Sequence, residues 1–196
     1  MDAVDTYLDE LELALAALSR SGIRSIVDAL MDVWEVSGTA YIIGNGGSAS
    51  TASHMMNDLM KFTSLPGSRR FRAIALTDNV PLMSAIGNDI AYEDIFVEPL
   101  RNLLGSEDAL IAISGSGNSP NIVKAVEFAN SMGAATVGLC GSPGGRLSML
   151  ARHVVRVPAD RIGQQEDGHL ILNHVIATAL RERIADRSTV IPLKIG

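Results

Sequence analysis

His54 and Asp58, an imidazole and a carboxylate four residues apart, stand just beyond the run Ala40-Tyr41-Ile42-Ile43-Gly44-Asn45-Gly46-Gly47-Ser48. A spacing of four places both on one face of a helix, where they can work as an acid–base pair. The run ahead of them reads as a strand, a Gly/Ser turn and a helix start. Such a junction aims backbone N–H groups and a helix dipole at whatever anion sits there. A second junction of the same kind is Ile113-Ser114-Gly115-Ser116-Gly117-Asn118-Ser119-Pro120. Pro120 suits a first helical turn. A helix cap needs one serine, whereas this loop offers Ser114, Ser116 and Ser119, which reads as a phosphate cradle built from uncharged donors.

A third group lies near the carboxyl end. Glu166, His169 and Asn173 are spaced three and four apart, and His174 is one step further round, in an otherwise apolar segment. One broad helix face then carries a carboxylate and up to two imidazoles, which reads as a site or a subunit contact rather than plain core. His153 falls at the start of a strand and reads as structural or surface. Nucleotide chemistry fits poorly. Gly44-Asn45-Gly46-Gly47-Ser48-Ala49 matches G-x-G-x-x-A, but a ribose-binding acid is expected about 20 residues on. The nearest strand-end carboxylate is Asp78, after a long linker, and no Gly-Lys-Ser/Thr phosphate loop is present.

The elements that must position these residues follow from periodicity. Short apolar runs at 41–43, 73–76, 109–113, 135–139 and 154–157 read as strands buried on both faces. They alternate with helical segments at 48–61, 80–86 continuing into 92–104, 120–132, 145–151 and 164–184. This alternation predicts an α/β fold: a three-layer, doubly wound, five-stranded parallel sheet of order 2-1-3-4-5 with right-handed crossovers. In that order the loops after strands 1 and 3 lie side by side, at the crevice where such sheets bind ligands. Two amphipathic helices come first, with Val4, Tyr7, Leu8, Leu11, Leu15 and Leu18 on the first and Ile23, Ile26, Leu30, Val33 and Trp34 on the second. They cap the sheet or pack against another subunit. The division expected is one domain, with helices at 1–38, an α/β core at 39–186 and a tail at 187–196.

Composition sets the outer limits. A chain of 196 residues with 47% hydrophobic and 19% charged residues is ordinary globular material. A net charge of −6 argues against a general nucleic-acid surface and leaves no polybasic membrane patch. It leaves room for a phosphorylated small molecule held by helix N-termini. One cysteine, Cys140, allows no internal disulfide, and no signal-peptide pattern or membrane-length apolar run is seen. A soluble cytoplasmic enzyme or binding domain is the expectation.

Together these residues resemble the sugar isomerase (SIS) family and, within it, the phosphoheptose isomerases. The resemblance covers nearly the whole chain. It is carried most specifically by Gly44-Asn45-Gly46-Gly47-Ser48, by Ile86-Gly87-Asn88-Asp89, by residues 113–119 and by the helix from Glu166 to His174. It implies a homotetramer with its leading helices in the assembly and active sites at subunit contacts. By the same resemblance Ser48, Ser114, Ser116 and Ser119, with the backbone of Gly46, Gly47 and Gly115, would hold the substrate phosphate and sugar. Asn45 and Asp89 would meet sugar hydroxyls, and Glu166 would also face substrate. Asp58 falls on the family's catalytic glutamate, His174 on its acid–base partner, and Glu166 on a glutamine. Several members bind zinc at the positions of His54, Asp58, Glu166 and His174; no nucleotide cofactor is implied. Two departures stand out. Asp58 is one methylene, about 1.5 Å, shorter than glutamate, and Glu166 adds a second carboxylate, so either could be the base.

The activity implied is aldose–ketose isomerisation of sedoheptulose 7-phosphate to a manno-heptose 7-phosphate through an enediol. Two alternatives accompany it. One is a non-catalytic SIS protein that binds a replication initiator or senses a sugar phosphate. The other is an isomerase for a different sugar phosphate in a specialised pathway. Retention of His54, a carboxylate at 58 and His174 favours an enzyme.

Overall fold

The structure is a computed structural model and describes residues 2–190, with side chains described through Arg187. Its framework is a five-stranded parallel sheet of order β2-β1-β3-β4-β5, formed by β1 (Thr39–Gly44), β2 (Arg72–Ala75), β3 (Ala109–Ser114), β4 (Ala135–Gly141) and β5 (His153–Val157). This is the expected order and direction. Along β1 the side chains alternate between the two faces, as a pleated strand requires. Ala40 and Ile42 join one core, with Ile26, Leu30, Met55, Ile111, Leu172 and Ile176, while Tyr41 and Ile43 join the other, with Phe96, Leu100, Leu110, Ile122 and Val126. Each large apolar side chain fully buried in this way stabilises the fold by about 1.5–3 kcal/mol before entropy is counted.

The first core is closed by α1 (Ala3–Ala16), α2 (Arg20–Glu35), α3 (Gly47–Asn57) and the long α8 (Ile162–Val190). Asp2 caps α1 by accepting from the N–H groups of Val4 and Asp5, and Ser19 caps α2 by accepting from Gly22. The second core is closed by α4 (Val80–Asp89), α5 (Val97–Leu103), α6 (Pro120–Ser131) and the single turn α7 (Leu147–Leu150).

Three local features depart from expectation. The edge strand β2 is buried on one face only, with Arg72 and Ile74 exposed, because no helix covers its outer side chains. The segments expected at 80–86 continuing into 92–104 are instead α4, a 3₁₀ turn at Tyr92–Asp94 and α5. The helix expected over 48–61 is α-helical only to Asn57. It ends in a π-turn, Asp58–Phe62, in which the Thr63 N–H reaches the Asp58 carbonyl at 3.1 Å. At the carboxyl end α8 continues through Arg187 to Val190, and the rest of the expected tail, 191–196, lies outside the described residues.

Candidate active site

β1 and β3 are hydrogen-bonded neighbours with Gly44 opposite Ile113, so their carboxyl-end loops emerge together. The two are tied by a reciprocal amide pair: Asn45 Nδ2 donates to Asn121 Oδ1 at 3.0 Å, and Asn121 Nδ2 donates to Asn45 Oδ1 at 2.9 Å. The Tyr92 hydroxyl donates to the same Asn45 oxygen at 3.2 Å. Asn121, buried in the first turn of α6, was not expected from the sequence, where a lone Asn after Pro120 carries no signal.

The β3 loop is shaped by its own serines. Ser114 Oγ accepts from the Gly117 N–H and Ser116 Oγ from the Asn118 N–H, both at 3.2 Å. Ser119 immediately precedes α6, and its side chain makes no capping bond. Gly117 has φ +64°, and a Cβ there would stand 2.0 Å from the Gly144 carbonyl oxygen. Only glycine lets this loop lie against the β4–α7 loop. The Leu147 N–H completes that contact by donating to the Gly117 carbonyl at 2.8 Å.

Beyond the β1 loop, α3 carries His54 and Asp58 to α8, which brings His174 and Asn173. Asp58 Oδ2 stands 3.4 Å from His54 Nε2 and 3.8 Å from His174 Nε2, and the two imidazole Nε2 atoms are 3.2 Å apart. The rings meet edge to face, with centroids 5.0 Å apart. Asn173 Nδ2 donates to the same Asp58 oxygen at 2.9 Å. The imidazoles are about half exposed and the carboxylate largely covered, at 13%. Donor atoms of His54, Asp58 and His174 all lie within 4.8 Å of one another, a spacing that could hold a metal ion.

The other expected residues divide. Glu166 stands outside this trio. Its carboxylate lies over Gly47, so close that a Cβ on Gly47 would sit 2.5 Å from Glu166 Oε1. That is the amino end of α3, where the helix dipole favours negative charge. His169, read as part of the same face, is instead fully buried beside the Cys140 backbone, and neither ring nitrogen completes a hydrogen bond among the described residues. Burial pushes its pKa down. Asp89 is exposed at the end of α4 and accepts from Asn88 Nδ2 at 2.7 Å. Asp78 accepts from the Ser53 hydroxyl on α3. Cys140 is buried and its thiol pushed up to about 11 by that burial, an inert thiol rather than a nucleophile. His153, at the far end of the sheet, pairs through Nδ1 with Ser25 Oγ at 2.7 Å.

The SIS domain family matches residues 6–141. The phosphoheptose isomerase of Aneurinibacillus thermoaerophilus is 32% identical over 164 residues, covering 83% of this chain and 81% of the relative. That of Helicobacter pylori strain Shi470 is 32% identical over 182 residues, covering 93% and 94%. The solved phosphoheptose isomerase of Francisella tularensis superposes with a TM-score of 0.85 at 27% identity, over 93% of this chain and all of that one. The chain belongs to the SIS-domain family, among its phosphoheptose isomerases.

Proposed function

We propose that the protein interconverts sedoheptulose 7-phosphate and D-glycero-D-manno-heptose 7-phosphate through an enediol. The observation that carries this is the meeting of the Asp58 carboxylate with the His54 and His174 imidazoles, on the helix that leaves the first of two anion-binding loops. The names of the similar proteins support the substrate. Ser114, Gly115, Ser116 and Ser119, with Ser48 at the head of α3, hold the phosphate. Asn45, Gly46, Gly47, Asp89 and Glu166 face the sugar. The remote phosphate contributes binding energy that orients the reacting carbons.

The chemistry then needs one base and one acid. Asp58 takes the proton from C1, the C–H electrons become the C1=C2 bond, and the C2 oxygen gains a proton from His174. Return of a proton to C2 and loss of the O1 proton give the aldose. Asp58 is favoured over Glu166 as the base because Asp58 touches both imidazoles while Glu166 rests on Gly47.

His54, Asp58 and His174 also suit zinc. Two imidazoles and a carboxylate with an open position form a familiar catalytic donor set, and ligand atoms about 2.0–2.1 Å from a tetrahedral ion lie roughly 3.3 Å apart. The separations here are 3.2, 3.4 and 3.8 Å. Bound there, the ion would polarise the substrate's carbonyl and hydroxyl oxygens. Glu166 would join as a fourth ligand only by moving its carboxylate off Gly47.

Assembly as a homotetramer belongs to the same proposal. On α1 only Ala14 is buried, while Val4, Leu8 and Leu13 are exposed. Between α1, α2 and α8 a groove of about 450 Å³ is lined by Leu15, Leu18, Ile23, Val27, Ile171 and Val175 together with three arginines, Arg20, Arg24 and Arg183. Apolar surface on this scale in a single chain supports burial against other copies. No described helix is long and apolar enough to cross a membrane, and a cytoplasmic place for the enzyme completes the reading.

The test is turnover of a panel of phosphosugars in deuterated water, with and without chelator, read by NMR. Deuterium appearing at the carbon next to the carbonyl of the seven-carbon substrate is the expected result. Binding without exchange would instead favour the sugar-phosphate-sensing alternative, and exchange only with another sugar would change the substrate.

A further inference from the structure

We propose that Asn173 is a positioning residue, whose side-chain N–H fixes the Asp58 carboxylate against the two imidazoles. Asn173 is wholly buried, in a helix whose neighbouring residues Leu172 and Ile176 are apolar core. An amide there needs a reason. It has one donated bond, 2.9 Å from Nδ2 to Asp58 Oδ2, while its own Oδ1 has no partner among the described residues. A group that leaves half its hydrogen-bonding capacity unmet in the core is there for the half that is used.

The bond has a specific geometric consequence. Asp58 sits at the point where α3 passes into the π-turn, and Asn57 Nδ2 approaches its other oxygen at 3.3 Å. His54 comes from the same helix as Asp58, His174 from α8. The Asn173–Asp58 bond joins those helices next to the site, and it lands on the oxygen that faces both imidazoles. A short aspartate rotates about two torsions. With Oδ2 held by Asn173 and Oδ1 near Asn57, rotation about those torsions is restricted and Oδ2 is kept on the side of the two imidazoles. The sequence hides this role, because Asn beside His in an apolar helix has no motif.

This inference rests on the isomerase reading, and the test separates the two. Asn173→Leu removes the donor and the unpaired amide oxygen while keeping a branched side chain of four heavy atoms, but it is larger and leaves Asp58 without its donor, so a modest fall in melting temperature is expected and is measured beside kcat. Asn173→Asp keeps the shape without the N–H and is measured beside it. Loss of such an outer partner costs roughly 10–100-fold in activity or metal affinity. The expected result is that fall in kcat, with KM within about threefold, and a zinc affinity lowered about tenfold in competition with a chromogenic chelator. In an Asp58→Asn background, adding Asn173→Leu should change the residual rate little, because the group it positions is already gone. Unchanged kcat and zinc affinity in both variants would overturn the proposal, as would an equal fold-loss in the two backgrounds, which marks mere packing. If the wild type turns over no heptose phosphate, the isomerase reading fails, and the zinc competition alone decides the role of Asn173.

Discussion

Two carboxylates sit near the substrate loops, and their surroundings assign them different work. Asp58 is largely covered and touches His54, His174 and Asn173. Glu166 lies on the amino end of α3, over Gly47. Asp58→Asn should therefore cut turnover by about 10²–10⁴, the usual contribution of a general base, while Glu166→Gln should act mainly on KM and keep kcat within about tenfold. A coupled assay on both variants checks this, and the reverse pattern would make Glu166 the base. Gly47→Ala probes the same contact from the other side. Its new methyl must displace the flexible end of Glu166 rather than backbone, so KM should rise without loss of melting temperature. His54 and Asp58 were legible in the sequence because helical spacing and residue chemistry coincide in them, and His174 was joined to them by the family resemblance. Asn121 was not, and Asn173 could be placed on a helix face but not given its partner, since an Asn acquires meaning only from the partner that the fold supplies. His169 misled for a related reason. Spacing along a helix gives the angle of a side chain but not what faces it, and α8 is packed on more than one side.

At the level of elements, α8 joins the core to the site. One of its faces buries His169 against β4, and the next presents Asn173 and His174 to α3. The neutral, desolvated state of His169 has a consequence for stability. Its folded pKa is held below the ordinary value, so the unfolded chain binds this proton first as pH falls. Its contribution is fully present above about pH 6.5 and is lost progressively as pH drops from there towards the depressed folded value. Half-buried His153 acts in the same direction. Urea midpoints at pH 7.5 and 5.5 should therefore fall towards acid, and His169→Leu should flatten that fall; an unchanged slope would mean that His169 is not held neutral. The strands and their order could be read directly, because central parallel strands are continuous apolar runs and right-handed crossovers leave few topologies. The break between α4 and α5 and the π-turn at Asp58 could not. Both are set by backbone hydrogen bonds competing at helix ends, and composition there suits either outcome.

In the whole molecule, the site and the unpaired surface are connected through α1. Besides Ala14 in the first core, polar bonds hold that helix at α8: Tyr7 donates to Asp167 at 2.6 Å, Gln164 to Glu10 at 2.9 Å, and Arg161, just ahead of α8, to Glu10 at 2.8 Å. The two exposed contacts, Tyr7–Asp167 and Arg161–Glu10, individually contribute little. Its apolar residues meanwhile point outward, Leu8 being 57% and Val4 65% exposed. A helix of 14 residues is marginal alone in water, so other copies of the chain are the natural source of its missing apolar contacts. The same deficit recurs at the site, where His54 and His174 have side chains 43% and 54% exposed. The proposed assembly would cover these exposed imidazoles with a neighbouring subunit. Leu8→Glu combined with Val4→Glu should leave the monomer fold intact, because neither side chain is in a core, yet shift sedimentation velocity from tetramer to smaller species. Turnover should fall at least tenfold in step with that shift, although every residue of the acid–base cluster is present. Full activity in the dissociated form would show that a single chain closes its own site, and would separate assembly from catalysis.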